Sequence, residues 1–222
     1  MGHSGNHAHG FDLGATARRS MIEHGFEPDY PPAVQQQLEE LRAHPPQAPA
    51  GARDLRGLLW SSIDNDTSRD LDQIEYAEPA AGGHRVLIGI ADVDAYVPKG
   101  SAIDQHALRE TTTVYTGVKN FGMLPDELSN GTTSLLEGQE RAAVVVEFTV
   151  DAQAQITASD VYRAWVVNRG QLAYRSVGAW LAGEAAAPPK VAASAELEKQ
   201  LRMQDEIAQR LRVQRSDRGA LN

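Results

Sequence analysis

The spacing of apolar side chains changes period several times along the chain. Residues 12–25 and 32–43 carry helical spacing, with Leu38 and Leu41 on one face of the second segment. Pro31-Pro32 opens that segment, where proline is tolerated in the first turn. From Arg53 the texture is that of strands. Gln73–Tyr76 and Arg85–Val93 are separated by the turn-forming run Pro79-Ala80-Ala81-Gly82-Gly83, and Ala142–Val150 and Ile156–Val167 are joined around Asp151–Gln155. Between the two pairs, Ser101–Arg109 predicts a helix with Ser101 as N-cap and Ile103, Ala107 and Leu108 as its apolar stripe. Residues 170–182 and 194–215 predict two more helices. In the last, Leu197, Leu201, Ile207 and Leu211 share a face that needs a partner and is expected to leave apolar surface exposed. The order α, β, β, α, β, β, α, α predicts a mixed α/β (α+β) fold, and no internal repeat is visible.

A chain of 222 residues suits one sizeable domain with a small appendage. Residues 1–50 read as a flexible leader followed by a short helical head, and residues 53–222 as the main domain. The leader is rich in Gly and His; His3, His7 and His9 alternate there, a weak metal-binding pattern that a plain tail or expression scar explains as well. Pro45–Gly51 is the expected linker. The chain closes on Ala220-Leu221-Asn222, an apolar pair after a charged turn, which is expected to begin a further element of a larger domain.

Composition removes several chemistries. With no cysteine there is no disulfide scaffold, thiolate zinc site, iron–sulfur cluster or cysteine nucleophile. Apolar runs such as Val86–Ala91, six residues, are too short to span a bilayer. No charged-then-apolar signal pattern opens the sequence, and a cytoplasmic location is expected. The net charge of −9 argues against nucleic-acid binding at first sight. The charge is uneven, however: residues 151–222 carry +2 and residues 1–150 carry −11. Acids that bind divalent cations lower the formal charge without repelling an anionic ligand, because the ions invert the local field.

The acids crowd into Ser61–Glu75, SSIDNDTSRDLDQIE. Asp70 and Asp72 are two apart at the mouth of a strand, so their carboxylates share a face while Leu71 points to the core. Asp64 precedes a loop long enough to fold back beside them. Three readings stay open on the residues alone. One is a solvated loop of caps and Asx-turns. Another is a calcium loop, since Asp64, Asp66, Ser68, Asp70, Asp72 and Glu75 fall at EF-hand ligand spacing, although Arg69 stands where that motif has glycine and the flanks are poor helices. The third is a pair of Mg²⁺ ions about 4 Å apart that activate water and stabilise the leaving oxygen of a phosphodiester.

The same segment resembles the acidic signature of the ribonuclease II / ribonuclease R family, whose RNB catalytic domain carries Asp followed by Asp at +6, +8 and +9. Asp64, Asp70 and Asp72 match; Gln73 departs from the fourth position. The likeness continues through IGIADVDAYVPKGSAID (88–104), VYTGVKNFGMLPDELSNGTTSL (114–135) and AAVVVEFTVDAQAQI (142–156). It implies the N-terminal portion of an RNB-type catalytic domain, incomplete at its C-terminus, with the missing C-terminal half of the same domain as a partner. The implied activity is 3′→5′ exoribonucleolytic hydrolysis of single-stranded RNA to nucleoside 5′-monophosphates. Asp64, Asp70 and Asp72 are the implied catalytic residues and, with Gln73, the implied Mg²⁺ ligands; Gln73 brings an oxygen but no charge. Tyr115 falls at the family tyrosine that stacks on a base near the RNA 3′ end; a buried core tyrosine is its plain alternative. Met123-Leu124-Pro125 and Ser129-Asn130 are expected to shape the channel, and Asp92 to serve as an outer partner of the metal site or as a strand-end cap. The competing expectation is an incomplete, inactive fragment that binds RNA or a protein partner without turnover.

Overall fold

The computed structural model describes residues 12–46 and 50–220; the leader with His3, His7 and His9, part of the linker, and the final Leu221-Asn222 lie outside it. In chain order the elements are α1 (Leu13–Glu23), α2 (Pro32–Ala43), β1 (Arg53–Asp54), β2 (Trp60–Asp64), β3 (Gln73–Ala80), β4 (Gly83–Ala91), α3 (Ala102–Glu110), β5 (Val114–Tyr115), β6 (Asn120–Phe121), β7 (Glu140–Asp151), β8 (Ile156–Ala173), α4 (Tyr174–Leu181), α5 (Pro189–Ala192) and α6 (Ala195–Asp217). A π-helical turn covers Leu128–Thr132. The class is mixed α/β, as the element pattern predicts. The chain divides into two compact units, the head up to Pro45 together with Val97–Asp126, and Pro46–Tyr96 together with Glu127–Asn222.

The larger unit is built on one long strand. The first part of β8 pairs antiparallel with β7, and its last six residues run parallel to β2. The chain of pairs β2–β3, β3–β4 and β4–β7 is antiparallel and returns to β8, so five strands close on themselves as a barrel. Closure removes most of the free strand edge. Strand alternation then sorts the side chains. Trp60, Ile74, Leu87, Ala143, Val145, Ala164 and Val166 fill the interior with Leu71 and Leu135, and the Trp60 indole N–H donates to the Leu55 carbonyl at 2.9 Å. Ala77, Val86 and Val150 stand on the outer face against Ile207 of α6, and Leu172 packs outside with Trp180, Val191, Leu197 and Leu201.

Two hairpins fix the barrel's register. Gly82 takes φ +83° in the two-residue turn between β3 and β4, and a Cβ on Gly83 would stand 2.0 Å from the Val150 carbonyl, so both positions need glycine. At the other hairpin the Asp151 carboxylate accepts the Gln153 and Gln155 N–H groups. Beyond the short β2, the outer edge of β3 is met by a side chain: Gln200 of α6 accepts the Ala77 N–H at 2.9 Å.

Two expectations are corrected. The segment 170–182 is helical only from Tyr174; Gly170–Ala173 extend β8 because Ser61–Asp64 offer them a strand to pair with. The face of the last helix is not left open at Leu197, Leu201 and Ile207, which are buried against the barrel within this chain.

In the smaller unit, Asp12 caps α1 by accepting the Ala15 N–H at 2.9 Å. Val34 and Leu38 of α2 and Ile103 of α3 are buried, and the Gln37 side chain accepts the Ile103 N–H. The Tyr30 hydroxyl lies 2.8 Å from the Gly122 carbonyl and 2.7 Å from that of Leu124, tying the first loop to the segment after β6. His106 of α3 is 2% exposed, its ring against that of Tyr30 and its Nδ1 without a hydrogen bond. Burial lowers its pKa, while Glu110 and Glu27 oppose that shift and Arg109 adds to it. A depressed histidine favours protonation of the unfolded chain, so this contribution is intact above about pH 6.5 and is lost progressively as pH falls from there. The protection of α3 amides, taken relative to their intrinsic exchange rates at each pH, is therefore expected to fall between about pH 7 and pH 5, and His106→Gln to flatten that dependence.

Candidate functional site

The acidic segment spans the connection from β2 to β3. Asp64 is the last residue of β2 and pairs with Ala173 of β8. Ser61 of β2 opposes Glu75 of β3 in antiparallel register, so Asp64, which ends β2, and Asp72, just before β3, lie toward the same end of the two strands. Asp70 lies on the loop between them, and Gln73 opens β3 opposite Ile90. Strands flank the loop on both sides where a calcium-binding EF-hand would have helices, which removes that reading.

The loop is held at its C-terminal end by residues 63 to 65 positions away. The buried Ser134 hydroxyl accepts the Leu71 N–H at 2.9 Å and donates to the Arg69 carbonyl at 2.7 Å. Leu135 N–H bonds the Leu71 carbonyl at 2.8 Å. Leu71 is thereby drawn into the barrel interior, and Asp70 and Asp72 on either side of it face solvent, as the alternation of the sequence predicts. Behind this clamp, the buried Asn168 amide donates to both Ser62 Oγ and the Leu135 carbonyl at 2.9 Å, and its oxygen accepts the Gly170 N–H. The β2–β8 register slips here, Trp60 opposing Asn168 and Ser61 opposing Gly170. Such a bulge re-aims the strand end.

Asp64 is half-buried, with one oxygen accepting the Asn65 N–H at 2.7 Å; Asp70, Asp72 and Gln73 are exposed. Among the described residues none of the three aspartates has a Lys, Arg or His ion-pair partner. Nor do any three His, Asp or Glu side chains among the described residues gather closely enough to hold a metal ion as they stand. The donor chemistry suits a hard divalent cation: carboxylates of like charge without a counter-ion among the described residues, one ending β2, one just before β3 and one on the loop between them. The ligand shell is not closed.

Two further residues belong to this neighbourhood and were not picked out as site residues in their own right from the sequence. Tyr174, the first residue of α4, follows directly on the residue that pairs with Asp64. It is 54% exposed, and burial, followed by the charges of Asp64, Glu75 and Asp72, raises its hydroxyl pKa. Glu75 shares a face of β3 with Gln73; burial, and behind it the charge of Asp72, pushes its carboxyl up to about 7. A strand boundary at Ala173 is the signal that would have drawn attention to Tyr174.

Tyr115 belongs to the smaller unit. It lies on the β5–β6 ribbon and is 69% exposed, so its ring is open to a stacking partner and the buried-core alternative falls away. Asp92, just past β4, is buried with its carboxylate 3.0 Å from Arg163 Nε, out of line for a hydrogen bond, and its N–H bonds the Ala142 carbonyl. Ser129 and Asn130 lie in the π-helical turn.

Residues 52–222 match the RNB domain. The chain belongs to the RNB domain family. The match begins just after the linker and takes in every element from β1 onward. Ribonuclease R of Escherichia coli K12 is 36% identical over 157 residues, covering 70% of this chain and 19% of that protein. Ribonuclease R of Mycoplasma pneumoniae is 34% identical over 163 residues, covering 72% of this chain and 22% of that one. This RNB chain thus spans about one fifth of the length of these relatives. Among solved structures, Mycoplasma genitalium RNase R in complex with ribose-methylated single-stranded RNA superimposes with a TM-score of 0.81 at 26% identity, over 93% of this chain and 32% of that one. Yeast Ssd1, a pseudonuclease, shares the fold at a TM-score of 0.59 and 18% identity, over 74% of this chain and 20% of that one. Among the described residues of this RNB chain, no helix is long and apolar enough to cross a membrane.

The clamp yields a direct test. Ser134→Ala removes both hydroxyl bonds and leaves the buried Leu71 N–H unpaired, which costs about 1–3 kcal/mol. Urea unfolding is expected to register that loss, and hydrogen exchange to show faster opening of residues 65–72 than of β7.

Proposed function

We propose that this chain forms part of the catalytic domain of an Mg²⁺-dependent 3′→5′ exoribonuclease that hydrolyses single-stranded RNA to nucleoside 5′-monophosphates. The single observation that carries the reading is the RNB family match over residues 52–222, with its acidic signature at the open strand ends. The ribonuclease R relatives, and a solved relative's complex with single-stranded RNA, support the substrate class.

Each residue then has a task set by its position. Asp64 and Asp72 hold the cation from two adjacent strand ends; Asp70 is brought in from the loop, and Gln73 offers an amide oxygen. Ser134 and Asn168 fix the strand ends so that little ordering is left to the moment of binding. When bound, a divalent cation, or a pair of them, supplies a lowered pKa for the attacking water and charge stabilisation for the leaving 3′ oxygen. Tyr115 offers its exposed face to a base, a sequence-tolerant contact because every base has a π-face.

A second reading, an RNB domain that binds RNA without turnover, is favoured by Gln73 and by the open ligand shell. Calorimetric titration of the 222-residue chain with Mg²⁺ or Mn²⁺ separates the two. In the catalytic reading the wild type binds the ion, Asp72→Asn weakens binding on the order of tenfold to a hundredfold, and Gln73→Asp strengthens it. Hydrolysis of labelled single-stranded RNA, where the chain supports it, is expected to fall in Asp72→Asn while RNA affinity by filter binding holds. A chain that binds RNA but shows no ion binding in any variant belongs to the second reading.

A further inference from the structure

The outer face of the barrel under α6 holds a cavity of about 360 Å³, lined by Ile63, Val86, Ile88, Phe148 and Leu211. The size falls within the range of small-ligand sites, which pair an apolar lining with a few placed polar groups. Those groups are here: Glu75 from β3, and Gln204 and Asp205 from α6 across the cavity. Glu75 Oε2 is shut off from solvent and takes no hydrogen bond. Asp205 Oδ1 accepts only a long bond, 3.4 Å, from Gln209, and Gln204 turns its N–H toward Gln200. No Lys or Arg is among the lining residues.

We infer that this cavity binds an apolar cation, a guanidinium or ammonium group on an aliphatic or aromatic body. Two acids on facing walls reject an anion and attract a positive charge. A neutral hydrocarbon would fill the space but leave the Glu75 and Asp205 carboxylates without a counter-charge. A guanidinium has five N–H donors in one plane, enough to serve Glu75, Asp205 and the Gln204 oxygen together. The apolar walls take the body of the ligand. Glu75 is shared with the neighbourhood of the acidic site, but none of the three aspartates assigned to the metal lines this cavity.

The test titrates the 222-residue chain with n-hexylguanidinium, methylguanidinium and 1-hexanol, reading affinity by calorimetry and location from the methyl resonances of Ile63, Ile88 and Leu211. Hexylguanidinium is expected to bind about tenfold or more tighter than either half-ligand, the return for one charge-assisted hydrogen bond to a carboxylate of the cavity wall. Glu75→Gln, close in shape, should remove most of that margin and leave hexanol unchanged. Asp205→Asn, at a half-buried helix position, should reduce it as well, and Leu211→Trp should abolish binding by filling the cavity. Circular dichroism confirms that each variant is folded. Equal affinity for hexanol and hexylguanidinium, an undiminished margin in both acid variants, binding that survives Leu211→Trp, or no binding by any probe would each overturn the assignment.

Discussion

The acidic site depends on a hydroxyl and an amide buried behind it. Ser134 accepts from Leu71 and donates to Arg69, and Asn168 bonds Ser62, Leu135 and Gly170. Together they join the β2–β3 loop, β2, the segment before β7, and β8. Each bond lies where an unpaired polar group would be costly, so the set holds as a unit. Without it, Leu71 would bury its side chain with its N–H and the neighbouring carbonyl unpaired, and the alternation that turns Asp70 and Asp72 outward would lose its anchor.

The barrel supplies the rigid frame for that clamp. One 18-residue strand pairs with β7 along its first part and with β2 along its last, the short β1 lying against it at Ala164-Trp165, and this closes the sheet. The change of partner falls at the Asn168–Gly170 bulge, which is also where the clamp is rooted. The β2–β8 register breaks between Trp60 and Ser61. Here the break is used to aim Asp64 at the barrel's open end. Placing the carboxylates on strand ends and on a short, tied loop limits how far a bound cation must draw them.

The acids are also an electrostatic load. Three unpaired aspartates, with Glu75 and Tyr174 in their field, repel one another in the absence of a counter-charge. Exposure of Asp70 and Asp72 keeps that repulsion tolerable, since water screens it. Glu75 is treated differently: burial withholds solvent and, ahead of the charge of Asp72, raises its pKa. Residues three apart on one chain thus meet opposite environments.

Much of this is local and legible in the sequence. Turn chemistry at Ala81-Gly82 and around Asp151 fixed both hairpins, because turn residues act on their immediate neighbours. Helical spacing found α1, α2, α3 and α6, and the two-residue alternation around Leu71 predicted which way Asp70 and Asp72 face. The acidic spacing and the landmarks that follow it identified the family. What local pattern could not reveal depends on distant pairing. β2 is short and nearly all buried, without alternation, and becomes a strand only because residues 168–173, about a hundred positions on, lie beside it. The same pairing turned Gly170–Ala173 from expected helix into strand and put Tyr174 next to the acids. The burial of Leu197, Leu201 and Ile207 and the cavity at Glu75 follow from where α6 lies on the closed barrel. Those are properties of surfaces brought together by folding, and no window of the sequence contains both sides of them.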